Sequence, residues 1–323
     1  MTSRALTAAL VAGALPLTAC GTQSPGEPGD DNLQVAAAFY PLAFASELAG
    51  GGDVTVENLT TPGMEAHDLE LSPKQIVALT EADVVVYLAG FQPAVDDAVA
   101  QSDSQHVIEV SGFADLTEPV GHDHNDHADD DHDHGAHEHG DEGHEGHDHG
   151  ELDPHFWLDP TRLAKVVEAI ADELGAIDPA AAETFAANAA AGAEELAALD
   201  EEFATGLAEC ERREIFVSHA AFGYLTERYD LEQVSVAGLS PDAEPSPSRI
   251  AEVQELAREH GATTIFFESR ASDAVAQSIA GDLGLRTAVL DPLEALTEQS
   301  AGEDYPAVMR ANLEAIRDAN GCS

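Results

Sequence analysis

An α/β fold of two similar lobes, each with a parallel four-stranded sheet flanked by helices and joined by one long rigid helix, follows from three features of the 323-residue sequence. Short β-rich apolar runs alternate with amphipathic helical stretches, as in parallel sheets covered by helices. The runs at 33–39, 54–59, 84–88 and 106–110 supply strands to the first half, and those at 214–218, 233–237, 263–268 and 286–290 to the second. A weak internal repeat relates the halves: Glu70-Leu71-Ser72-Pro73-Lys74-Gln75-Ile76 matches Glu244-Pro245-Ser246-Pro247-Ser248-Arg249-Ile250. Serine followed by proline starts a helix, with Ser as N-cap and Pro in the first helical position. Between the halves, 179–209 has no internal proline and carries Phe185, Leu196, Leu199, Phe203 and Leu207 among alanines and glutamates. Those spacings of three and four predict one helix long enough to span both lobes, about 45 Å at 1.5 Å per residue.

The N-terminal end reads as an export signal. Arg4 precedes an apolar run over 5–17 that is too short to span a bilayer. Leu17-Thr18-Ala19-Cys20 resembles the lipobox of bacterial lipoproteins, which predicts a signal peptide over 1–19 and a lipidated Cys20. The Gly-, Pro- and acid-rich stretch 20–32 then suits a flexible tether. The first lobe occupies 33–178, the spanning helix 179–209 and the second lobe 210–323. With Cys20 used as an anchor, Cys210 and Cys322 remain, and an even remainder in an exported setting predicts a disulfide between them.

Acidic residues number 62 against 13 basic ones, for a net charge of −49. No basic patch could neutralise nucleic-acid or lipid phosphates, so nucleic acid is excluded and any membrane association is expected only through the lipid anchor. A cation is the fitting ligand. The stretch 121–150 takes this to an extreme, with ten His, eleven Asp or Glu and no apolar residue beyond two Ala. It cannot bury a core and is expected to be a disordered insertion. Its histidines, His122, His124, His127, His132, His134, His137, His139, His144, His147 and His149, make it a candidate low-affinity metal loop.

Five histidines lie outside it. His106 starts a strand and His260 ends a helix, where a cation complements the helix dipole, so both read as structural. His67 follows the second strand, His155 lies in a DPHFWLDP run and His219 directly follows the strand 214–218. The carboxyl ends of parallel strands are where ligands bind in open α/β sheets. Asp291 has the same placement after 286–290, although an Asp before Pro292 is also a turn-capping residue. Three imidazoles and one carboxylate would form a tetrahedral nitrogen and oxygen site, for which Zn²⁺ is the natural occupant.

The local sequences narrow this further. GMEAHDLELSP at 63–73, DPHFWLDP at 153–160, VSHAAFGYL at 217–225, GLSPDAEPS at 238–246 and LDPL at 290–293 resemble the zinc-specific solute-binding lipoproteins of bacterial ABC transporters, the metal-binding cluster A-I type. The resemblance covers nearly the whole mature chain. It implies two lobes joined by a rigid helix with the metal between them, ligated by His67, His155 and His219 with Asp291 as usual fourth ligand. Glu65 and Glu268 stand as alternative fourth ligands. Manganese-binding relatives carry Glu where this chain has His219, and a His- and acid-rich insertion before the second ligand is typical of the zinc branch.

The implied protein is a monomeric, extracytoplasmic zinc carrier anchored to the outer face of the cell membrane. Its implied partners are an ABC permease with its ATPase, and a zinc metallochaperone. Catalytic residues are not expected. A zinc hydrolase needs an open coordination position and a positioned base, and neither a His-Glu-x-x-His segment nor a Ser or Cys nucleophile motif is present. Carriage of another divalent metal such as Mn²⁺ is the alternative within the binding class, and a passive metal store or adhesin would not need the four-ligand arrangement.

Overall fold

In the computed structural model, which describes residues 32–119, 152–241, 243–268 and 274–323, all eight expected strands form. The signal peptide, Cys20, most of the tether and the insertion 121–150 lie outside the described residues. The first half runs β1 (Leu33–Ala37), α1 (Tyr40–Gly50), β2 (Val54–Asn58), α2 (Pro73–Glu81), β3 (Val84–Tyr87), α3 (Pro93–Gln101), β4 (Val107–Glu109) and α4 (Ser111–Ala114). Helices α5 (Pro160–Ile177) and α6 (Ala182–Gly206) follow. The second half runs β5 (Glu214–Val217), α7 (Gly223–Arg228), β6 (Glu232–Ser235), α8 (Pro247–Glu259), β7 (Thr264–Phe267), α9 (Ala274–Leu283), β8 (Arg286–Val289) and α10 (Tyr305–Asn320).

The first sheet is parallel with order β2-β1-β3-β4, and Val35, Val84, Val85 and Val86 are buried at its centre. Burial on both faces is what such continuous apolar strands require. The second half departs from the expected four-stranded sheet. Its strands form two parallel pairs, β5–β6 and β7–β8. β5 lies beside β7 without a backbone ladder, and the junction is held by side chains, with Phe216 and Ile265 sharing a small core. Strands of four residues offer few ladder bonds, so packing decides that edge.

The repeat predicted the same helix start twice, and both form. Ser72 caps α2 by accepting from Gln75 N, and Gln75 Oε1 accepts from Ser72 N at 2.7 Å in return. Ser246 caps α8 by accepting from Arg249 N at 3.2 Å. Such caps each contribute about 1 kcal/mol. In α5, Leu163, Val166, Val167, Ile170 and Leu174 fall on one face and are all buried. Each such side chain contributes about 1.5–3 kcal/mol from area removed from water.

The spanning helix is shorter than expected, beginning at Ala182 and ending at Gly206, about 37 Å at 1.5 Å per residue. Residues 179–181 instead form the turn from α5, where Ala180 N and Ala181 N donate to Asp178. Its two ends serve different halves. Asn188 donates to the Ala49 carbonyl of α1, and Gly192 lets Leu48 approach so closely that a Cβ would meet it at 3.3 Å. Further along, Asp200 takes Arg228 and Tyr229, and Glu202 takes Arg310 of α10. Among the described residues no helix is long and apolar enough to cross a membrane.

Cys210 and Cys322 are joined in a disulfide that fastens the end of the chain to the segment following α6. Closing a loop with a sequence separation of 112 restricts the unfolded chain by about 4–5 kcal/mol in the chain-entropy account. Reduction is therefore expected to lower the melting temperature by roughly 5–8 °C, read by calorimetry with and without reductant. Thiol titration of the unreduced, denatured protein should find neither cysteine free.

Candidate metal centre

Four side chains from four separate segments converge where the two halves meet. His67 comes from the loop after β2, and His155 precedes a short 3-10 turn (Phe156–Leu158) that leads into α5. His219 follows β5, and Glu294 follows β8. One potential ligand atom from each lies within 4.8 Å of all the others. The geometry centres on Glu294 Oε1, which is 3.3 Å from His67 Nε2 and 3.4 Å from both His155 Nε2 and His219 Nε2. A tetrahedron with zinc–ligand bonds of about 2.0–2.1 Å has edges of about 3.3–3.4 Å, which the three separations from Glu294 Oε1 match, while the four atoms together lie within 4.8 Å of one another.

Burial gives the same indication. The side chains of His155 and His219 are 0% exposed, that of Glu294 5% and that of His67 13%. His155 Nε2 and His219 Nε2 are buried without a hydrogen-bond partner. Such groups cost free energy unless something completes them, and a cation would.

The outward ring nitrogens are fixed by acids. Asp153 Oδ1 accepts from His155 N at 2.9 Å and sits 2.7 Å from Nδ1. Glu268 Oε1 lies 2.5 Å from His219 Nδ1 and from Ser218 Oγ. A carboxylate on Nδ1 holds that nitrogen protonated, leaves Nε2 as the free donor and raises its basicity. Burial alone pushes the His219 imidazolium toward losing its proton, but the charge and hydrogen bond of Glu268, with Glu294 beyond, outweigh it and lift its pKa to about 10. His155 is shifted upward by the same contest, burial against Asp153 and Glu294. Burial pushes the Glu294 carboxyl up, and the imidazoles of His155, His219 and His67 gathered around it more than reverse that, holding it well below the usual carboxylate range.

The structure brings His67, His155 and His219 together, and the carboxylate it places with them is Glu294. Asp291 is not in the group. Its Oδ1 accepts from Leu293 N at 2.9 Å and its Oδ2 from Ser300 Oγ at 2.9 Å, the turn-capping use that an Asp before proline invites. Asn312 clamps the same residue, donating to its carbonyl at 2.7 Å and accepting from its N–H at 2.9 Å. Leu293, buried and in the left-handed region at φ 59°, turns the chain so that Glu294 reaches the histidines. The alternatives fall outside the group as well. Glu65 accepts from His67 N at 3.4 Å, and Glu268 orients His219. His106 is exposed, and His260 pairs with Glu214 at 2.7 Å, as structural histidines would. Sequence reasoning missed Glu294, whose one available signal is its place directly after LDPL, where nothing local distinguishes it from neighbouring carboxylates.

Residues 35–319 match the family described as zinc-uptake complex component A, periplasmic (ZnuA). The chain belongs to this family. All four converging residues lie inside the matched range. Among ZnuA relatives, the high-affinity zinc uptake system protein ZnuA of Bacillus subtilis is 35% identical over 316 residues, 94% of each chain. The zinc-binding lipoprotein AdcA of Streptococcus pneumoniae serotype 4 is 38% identical over 317 residues, 94% of this chain. The chain spans only 58% of the length of that relative. Its fold is similar to the Zn(II)-bound ZnuA-like domain of Streptococcus pneumoniae AdcA, with a TM-score of 0.70 and 35% identity over 90% of this chain and 99% of that one. Streptococcus pneumoniae AdcAII is a second structural neighbour, with a TM-score of 0.74 and 26% identity over 90% and 99% of the two chains.

Proposed function

We propose that the protein binds one Zn²⁺ tightly through His67, His155, His219 and Glu294 and delivers it to the permease of an ABC importer. The observation that carries this reading is the convergence of three Nε2 atoms on one glutamate oxygen at 3.3–3.4 Å, two of them buried and unpartnered. Nitrogen-rich tetrahedral sites favour zinc over manganese, which prefers oxygen ligands. Four protein donors also close the coordination sphere, which suits a carrier and leaves no position for a catalytic water. In this reading Cys20 carries the lipid anchor, the chain works as a monomer outside the cytoplasm, and a metallochaperone can supply the ion.

Binding requires zinc to shed its water between the two halves, where Asp153 and Glu268 keep the imidazoles aimed. Because α6 is fastened to both halves, release is assigned to small movements of the segments after β5 and β8, or to a slight tilt, driven by docking on the permease. The insertion 121–150 then acts as a set of weak, fast capture sites. Zinc titration of the chain lacking 121–150 tests this: one tight equivalent should persist while the weak ones disappear, and manganese should fail to displace it in competition calorimetry. Manganese binding as tightly as zinc, or loss of the tight site with the insertion, would sink the assignment.

A further inference from the structure

Two of the four converging segments are joined to each other by a residue outside the converging group. Tyr224 is the second residue of α7, five residues after His219, and its side chain is buried. Its hydroxyl donates to the Asp153 carbonyl at 2.8 Å and accepts from Thr117 N at 2.8 Å. Thr117 and Asp153 are themselves paired, Asp153 N donating to the Thr117 carbonyl at 3.0 Å. The guanidinium of Arg162 lies over the Tyr224 ring, 4.5 Å from its centroid, and donates to the carbonyls of Ala114 and Asp115. The phenol is therefore clamped from two sides.

Asp153 gives this bridge its consequence. Its backbone is held by Tyr224 of the second half, and its side chain fixes both the N–H and the Nδ1 of His155. The imidazoles of His155 and His219 sit 5.4 Å apart between centroids, and the bridge ties the segments that carry them. We propose that Tyr224 is a positioning residue for the metal site, setting the placement of His155 relative to His219 through the Asp153 backbone; this rests on the zinc-binding reading above. Without the hydroxyl, the Asp153 carbonyl and Thr117 N–H lose their shared partner and the Asp153–His155 unit is free to shift against the segment after β5.

The test compares two phenylalanine substitutions on the full chain. Tyr224→Phe removes the bridge. Tyr229→Phe, at the other end of α7, removes the bond from the Tyr229 hydroxyl to Asp200 and touches nothing at the metal site. Melting of the metal-free variants, zinc affinity of the tight equivalent by chelator competition, and the visible bands of bound Co²⁺ are read for both. Tyr224→Phe is expected to weaken zinc about tenfold, at the low end for residues that orient metal ligands, and to change the Co²⁺ bands. Tyr229→Phe is expected to lower the melting temperature comparably while leaving affinity and spectrum unaltered. Should Tyr224→Phe bind within twofold of the unsubstituted protein with unchanged bands, or should both variants lose affinity equally, the positioning role is overturned. If the unsubstituted protein holds no tight zinc at all, the reading of the site falls instead, and this inference with it.

Discussion

Replacing His219 or Glu294 with alanine is expected to weaken the tight zinc equivalent by about 100- to 1,000-fold, while Asp291→Ala weakens it about tenfold or less. Four-ligand protein sites hold zinc with roughly 10–16 kcal/mol, so one ligand in four contributes about 2.5–4 kcal/mol. His219 loses more than a donor, since Glu268 is then left buried beside a void, 5% exposed and without the imidazole it held. Asp291 acts through its turn. Its bonds to Leu293 N and Ser300 Oγ shape the loop that presents Glu294, so its loss should appear mainly as a lower melting temperature. Chelator competition on chains lacking 121–150 separates the two carboxylates. If Glu294→Ala kept full affinity and Asp291→Ala abolished it, the original assignment from sequence would be the correct one.

The metal-free and zinc-loaded proteins should respond to alkali in opposite directions. His219 is raised from 6.5 to about 10, and His155 is raised as well. A histidine raised on folding contributes stability that is fully present below about pH 6.5 and is lost as the pH climbs through its folded value. Glu294, depressed below 4.5, contributes above pH 4.5 and is lost as the pH falls through its lowered value. The metal-free protein should therefore be most stable between about pH 4.5 and 6.5 and melt progressively lower from pH 6.5 to 10. Zinc must displace the proton held by His219, so its affinity should rise over the same range by about tenfold per pH unit for each proton released. Calorimetry in buffers of different ionisation enthalpy counts those protons. A melting temperature that is flat or rising in alkali, together with zinc binding that releases no proton, would contradict the charge state described for the site.

Much of this protein was written locally in its chain. The eight strands, the paired Ser-Pro helix starts at Ser72 and Ser246 and the apolar stripe of α6 follow from periodicity and capping, which depend on neighbours a few residues away. The placement of His67 and His219 beyond strand ends was legible for the same reason, because parallel topology sends every strand end to one edge, whereas His155, which lies beyond α4 and the insertion, was marked only by its DPHFWLDP run. The cysteine pair was legible from count alone. What only the tertiary structure decided lies where distant segments compete for the same space. Asp291 and Glu294 are equivalent as carboxylates in sequence, and the choice between them fell to Leu293 in its left-handed conformation and to Asn312 and Ser300, which bind up Asp291. Glu268 reads equally well as ligand or support until its oxygen is seen against His219 Nδ1. The edge between β5 and β7 likewise depended on packing of side chains that no local pattern relates. Which carboxylate joins the three histidines and which one aims a histidine is set by contacts that residue type alone does not carry, such as those of Asn312 and Ser300 with Asp291 and of Glu268 with His219.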